Sequence, residues 1–191
     1  MGVSHLLQKV FSKFIGEKKL NTIAIIDYGM SNLSSVIRAT RYVAPNDSVI
    51  VTSKPEEINN ADKIIFPGQG AAKKCMESIV KKNLSKIIKK NSQEKPFLGI
   101  CMGMQVLMDF SEENNGTNCL GIIKGKVRKF KRKENIKLKI PHMGWNKVIQ
   151  KNDHPIWYNI DNESYFYFVH SYFVDPIDKS YVIGETVYGN I

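Results

Sequence analysis

The stretch Lys95–Gln105 narrows the fold more than any other part of the chain. Cys101 has a glycine two residues away on each side, Gly99 and Gly103. A short apolar segment precedes it after Pro96, and Met102–Phe110 behind it is apolar and compatible with a helix. A strand that turns at once into a helix crowds its own backbone, and residues without a Cβ relieve that crowding. The G-x-C-x-G spacing is that of a nucleophile elbow with sulfur in place of oxygen. It places Cys101 on a tight turn at the amino end of a helix, where the dipole and free N–H groups favour thiolate over thiol. The competing reading is a buried, inert cysteine. The paired glycines and the strand–turn–helix context favour the nucleophile.

The 191 residues suit one domain with a sizeable core, and no apolar run approaches the length of a bilayer span. Cys75, Cys101 and Cys119 show no paired spacing, which fits free thiols in a reducing compartment and a cytoplasmic location. No Cys/His cluster has zinc spacing, so no metal is expected, and no cofactor. The net charge of +10 raises nucleic acid as a partner. Lys73–Lys95 holds eight lysines and Lys124–Lys139 nine basic residues. They fall on the polar sides of patterned elements, lysine far outnumbers arginine, and no nucleic-acid motif is present. Neither nucleic acid nor membrane is expected as a partner. A phosphorylated substrate or an acidic protein fits the charge.

Residues 1–20 read as an appendage, a basic amphipathic helix with Leu6, Leu7, Val10, Phe11, Phe14 and Ile15 at helical spacing. The domain proper runs over 21–191. Thr22–Ile26 is an apolar strand ending in the polar turn Asp27-Tyr28-Gly29-Met30-Ser31-Asn32. Leu33, Val36, Ile37, Thr40 and Val43 trace a helix face. Ser48–Val51 and Lys63–Phe66 are the next strands, and Pro67-Gly68-Gln69-Gly70 follows the latter directly. One long basic helix is expected next, with Cys75, Met76, Ile79, Val80, Leu84, Ile87 and Ile88 on one face. Alternating strands and helices predict a doubly wound, mainly parallel α/β sheet. Ligands bind beyond the carboxyl ends of such strands, where the turns at Asp27, Gly68 and Cys101 fall. Strands are expected over Gly121–Phe130, Ile136–Ile140, Tyr165–Val169 and Val182–Val187, with Pro141–Asn146 a compact turn.

These motifs, in this order, resemble the class I (triad) glutamine amidotransferases, and among them the glutaminase subunits of imidazole glycerol phosphate synthase. Asp27–Asn32 resembles the first-strand turn, Pro67–Gly70 the oxyanion strand, and Gly99–Gln105 the elbow; Pro141–Asn146 and His170-Ser171-Tyr172 complete the series. The resemblance spans roughly Thr22–Ile191 and implies a flavodoxin-like fold. It implies that Cys101 attacks the amide of glutamine, releasing ammonia and leaving a thioester for water. It places the oxyanion donors at Met102 and in the Gln69–Gly70 backbone. Glutamine is expected on Gly68, Gly70, Gln105, Glu113, Ser171 and Tyr172. The implied partner is a (β/α)8-barrel cyclase, bound as a heterodimer. It receives the ammonia and makes imidazole glycerol phosphate and aminoimidazole carboxamide ribotide in histidine biosynthesis. Asn32, Trp145 and Tyr167 match partner-facing positions, although Trp145 and Tyr167 equally suit a core.

The sequence departs from the family pattern at Ser31, Gln69 and Met102, where glycine, valine and leucine are usual. The family's catalytic histidine and glutamate stand in a His-Pro-Glu motif, which this sequence lacks, and no histidine follows His170. The C-terminal strand and helix are therefore expected to be missing, and the chain as written is expected to have little glutaminase activity. His170 is not taken as the base, because the resemblance assigns another histidine. Two other readings stay open: ammonia supply for amidination of a nucleotide sugar, and an inactive scaffold that binds a barrel partner.

Overall fold

The computed structural model describes residues 20–131 and 139–189. All but Leu20 of the amphipathic segment expected over 1–20 lies outside the described residues, as does most of the strand expected over 136–140.

Strand β1 (Thr22–Ile26) is the spine of the parallel sheet. Ala24, Ile25 and Ile26 are fully buried, as a strand covered on both faces requires. β2 (Ser48–Thr52) and β3 (Lys63–Gly68) flank it in parallel, and Ile25 faces Val51 on one side and Ile65 on the other. β4 (Phe97–Cys101) joins β3, with Gly68 opposite Cys101. The order β2-β1-β3-β4 puts the switch of winding direction between β1 and β3. Parallel neighbours need crossovers. These are α1 (Leu33–Val43), α2 (Pro55–Asn60), and the pair α3 (Ala72–Lys81) and α4 (Ser85–Glu94).

The single long basic helix expected after Gly70 is two helices. Asn83 takes φ 57° at the break, a left-handed conformation that asparagine tolerates better than most residues. Most of the apolar face survives it, since Cys75, Ile79, Leu84 and Ile88 are all fully buried, but Val80, expected on that face, is exposed. Most lysines of the pair point to solvent. Lys82 bends back to donate to the Asp27 carbonyl at 3.1 Å. Val43, expected on the inner face of α1, is exposed at its end.

Beyond Cys101 the helix α5 covers only Met102–Gln105. The apolar residues that follow are turned inward by the chain that returns beside them. Leu120 donates to the Val106 carbonyl, and Ile122 to that of Leu107. A second sheet then forms in the order β11-β7-β5-β6 from Phe110–Ser111 (β5), Thr117–Asn118 (β6), Gly125–Lys129 (β7) and Tyr172–Pro176 (β11). The expected turn Pro141–Asn146 is instead the strand β8 (His142–Lys147), antiparallel to β10 (Tyr165–His170). Its pairing partner lies far along the chain, so no local signal marked it. The expected strand Val182–Val187 shrinks to Gly184–Glu185 (β12), paired with Ile149–Gln150 (β9).

Candidate active site

The site grows from the contact between β3, β4 and α5. Cys101 takes φ 54° and ψ −115°. A side chain on such a backbone costs about 1–3 kcal/mol, held only because the neighbours over-determine it. Gly103 shows how. A Cβ there lies 1.8 Å from the Phe66 carbonyl oxygen, so α5 rests directly on the β3 backbone. Gly68 is equally tight, since a Cβ there meets the Tyr28 hydroxyl at 2.2 Å and Met102 Cβ at 2.9 Å. Cys101 itself is exposed. α5 is a single turn, too short to bring a long helix dipole to Cys101.

The Asp27–Asn32 turn meets the Gly68–Gly70 segment across the switch point. The Gln69 N–H donates to the Met30 carbonyl at 2.8 Å, and Met30 Cε lies against Gly70. The Gln69 carbonyl accepts from the Cys75 thiol at 3.4 Å, and the Tyr28 hydroxyl donates to that sulfur at 3.7 Å. Burial first, then the neighbouring thiols, pushes the Tyr28 phenol far up, and burial pushes the Cys75 thiol up. Both stay neutral, as a donor relay requires. Sequence reasoning placed Cys75 on a helix face and did not see this relay; the only signal for it was Tyr28 in the turn after β1.

Glu113 joins the site from the second sheet. Its Oε2 accepts from the Ala72 N–H at 2.7 Å, at the start of α3. Tyr172 is near enough to sense it: burial, then the Glu113 and Glu112 carboxylates, raises its phenol pKa. Gln105 is buried in α5. Ser171 links β10 to β11, and its carbonyl accepts from Phe130 N–H at 3.1 Å. The structure thus brings Gly68, Gln69, Gly70, Cys101 and Met102 together, with Glu113 adjoining them and Tyr172 near Glu113.

Asn32, Trp145 and Tyr167 are exposed. Trp145 and Tyr167 are paired across β8 and β10, 70% and 57% exposed, with ring centroids 5.6 Å apart edge to face. That exposure removes the core reading for both. Of the described histidines, His154 Nδ1 accepts from Ile156 N–H. Both nitrogens of His170 are engaged, Nδ1 with the Tyr172 carbonyl at 2.9 Å and Nε2 with His142 at 3.0 Å. Among the described residues no group of three or more His, Cys, Asp or Glu is arranged to hold a metal ion. No described helix is long and apolar enough to cross a membrane.

The family Glutamine amidotransferase class-I matches residues 24–189. The imidazole glycerol phosphate synthase subunit HisH of Hydrogenovibrio crunogenus is 52% identical over 168 residues, covering 87% of this chain and 79% of that protein. The subunit of the same name from Thiobacillus denitrificans is 49% identical, covering 87% of this chain and 75% of its own. A solved glutamine amidotransferase superposes with a TM-score of 0.62 at 11% identity, covering 88% of this chain and 81% of that one, a likeness of fold. The chain belongs to the class-I glutamine amidotransferase family, among the HisH subunits of imidazole glycerol phosphate synthase.

Proposed function

We propose that the protein hydrolyses glutamine to glutamate and ammonia at Cys101 and passes the ammonia to a (β/α)8-barrel cyclase in histidine biosynthesis. The observation that carries this reading is Cys101 itself, held at positive φ between Gly99 and Gly103 beside Gly68. The Cys101 thiol adds to the side-chain amide carbon, its proton passes to the nitrogen that leaves as ammonia, and water cleaves the glutamyl thioester to glutamate and the free thiol. The oxyanion takes its donors from Met102 N–H and from the Gln69–Gly70 backbone. The Gln69 N–H is given to Met30 here, so the peptide before Gln69 turns to present it. Gly68, Gly70, Gln105, Glu113, Ser171 and Tyr172 hold glutamine, with Glu113 facing its ammonium group. Transfer of the thiol proton is not assigned to His142 or His170, whose ring nitrogens are engaged with each other and with Tyr172 and Asn146.

Asn32, Trp145 and Tyr167 form the partner-facing surface in this reading, residues 21–191 the amidotransferase domain and 1–20 an extension. Three free cysteines support a reducing cytoplasm. The names of the relatives favour imidazole glycerol phosphate synthesis over amidination of a nucleotide sugar. The test is to mix the subunit with its barrel cyclase and follow glutamine-dependent product. Product formation that Cys101→Ala abolishes supports the reading. Stable complex formation without glutamine turnover overturns it in favour of an inactive scaffold.

A further inference from the structure

The catalytic reading leaves one buried polar cluster without a task. His142 is 4% exposed and lies flat between two rings, Phe168 at 4.7 Å and Tyr188 at 3.8 Å between centroids. His170, its register partner across β8 and β10, stands edge-on to Phe130 at 5.1 Å. Donor and acceptor counting fixes the hydrogens. The Tyr172 carbonyl only accepts, so His170 Nδ1 carries a hydrogen and, in the neutral ring, Nε2 accepts. His142 Nδ1 therefore donates to it across 3.0 Å, and His142 Nε2 is left as an acceptor. Asn146 Nδ2 lies 3.4 Å from that nitrogen. The orientation of the amide is set independently, because Nδ2 donates to the Val187 carbonyl at 3.0 Å and Oδ1 accepts from Lys147 N–H at 2.9 Å. The chain runs one way, from Asn146 to Tyr172, and closes only when both rings are neutral with hydrogen on Nδ1.

We propose that His142 and His170 are positioning residues, a one-way neutral tie by which the β8–β10 hairpin holds the Tyr172 backbone in place for glutamine. The proposal rests on the reading above that puts glutamine beside Tyr172. Successive residues of a strand face opposite sides. His142 and Asn146 therefore point inward, while Trp145, opposite Tyr167, points out. One end of the tie thus sits under the exposed aromatic pair, and the other is the carbonyl that begins β11. Displacement of the hairpin by anything bound to Trp145 and Tyr167 is passed to Tyr172 through two rigid rings. A second proton on His142 sets its Nε2–H against the Asn146 amide hydrogens, so acid loosens that end of the tie. Among the described residues, the titratable groups that face the pair are the two rings themselves and Tyr188, whose hydroxyl donates to the Lys139 carbonyl. Phe130, Phe168 and Asn146 complete the surround and carry no charge.

The first test is nitrogen NMR of the histidine side chains in the subunit. Hydrogen on Nδ1 of both rings at about pH 7 is expected, whereas free imidazole favours Nε2–H. An Nε2–H form at either ring overturns the tie. The second test splits its two ends by glutamine kinetics with the barrel partner present. His170→Gln keeps an acceptor for His142 and loses the donor to Tyr172; His170→Asn keeps that donor and loses the acceptor. His170→Gln is expected to raise KM for glutamine about ten-fold with kcat within about two-fold, and His170→Asn, which keeps the Tyr172 bond but cuts it from His142, to raise KM by a smaller factor of about three, each within the size of one lost hydrogen bond. A parent-like KM in His170→Asn, or a fall in kcat alone, overturns the proposal. If the parent protein turns over no glutamine, the functional reading fails by itself, and the NMR result still decides the tie.

Discussion

The carboxyl edge of the parallel sheet and the β8–β10 hairpin both depend on close packing, yet they use it in opposite ways. At the sheet edge, glycines let backbones touch: Gly103 leaves no space above the Phe66 carbonyl, and Gly68 none above the Tyr28 hydroxyl. Position there is set by exclusion, and a single added methyl is too much. In the hairpin, large rings do the work. Phe168, Tyr188 and Phe130 enclose the two histidines on the inner side, while Trp145 and Tyr167 stand in solvent on the outer side. The first region fixes Cys101 by stiffness. The second leaves two aromatic rings in solvent and ties the strand beneath them inward by hydrogen bonds. In the function proposed above, chemistry needs sub-ångström placement and recognition needs area, and the two regions divide those demands.

Substitutions sharpen the contrast. Cys101→Ala should lower glutamine hydrolysis by the complex at least about 10³-fold while barely moving the unfolding midpoint. A residual rate above about a tenth of the parent's would remove Cys101 from the chemistry. Phe66→Ala should cost about 3–5 kcal/mol in denaturant unfolding, because Phe66 is fully buried between Tyr28 and Phe97. Gly103→Ala should cost about 1–3 kcal/mol by driving α5 off β3, with activity falling along with stability. A neutral Gly103→Ala would mean that the elbow is less rigid than the packing requires.

Trp145→Ala should show the opposite profile. Stability of the free subunit should change by less than about 0.5 kcal/mol, and affinity for the barrel should fall by about 2 kcal/mol, read by titration calorimetry. A large loss of stability instead would make the hairpin part of the core after all. The smallest effect concerns pH. Burial, and then the His170 ring, holds the His142 pKa below the usual value of 6.5. The unfolded chain therefore binds the proton more readily, so this group stabilises the fold fully above about pH 6.5 and progressively less as pH falls toward its folded value. Comparing the unfolding free energy of the parent and His142→Gln across that window checks the sign: the parent's steeper loss on acidification should vanish in the variant.

Much of the candidate site was legible because its parts are local. The glycines around Cys101, the Pro67–Gly70 segment and the Asp27–Asn32 turn each carry their own steric message, and the alternation of strands and helices puts all three at one end of a parallel sheet. What was illegible depended on distant partners. Met102–Phe110 has the composition of a helix, but the return of Leu120–Ile123 captures its carbonyls after one turn. Pro141–Asn146 has the composition of a turn, but β10 gives it a pairing partner and makes it a strand. The break at Asn83 was hidden by an apolar face that continues across it.

The sequence by itself determined the alternation of strands and helices in the first sheet, the elbow around Cys101, and the surface placing of most lysines, because steric and hydrophobic periodicity act over a few residues. Only the tertiary structure decided which donors and acceptors meet. It paired Tyr28 with Cys75, Glu113 with Ala72, and His142 with His170. Hydrogen bonds between residues far apart in the chain leave no pattern in it, since their geometry exists only once the backbone has brought them within about 3 Å.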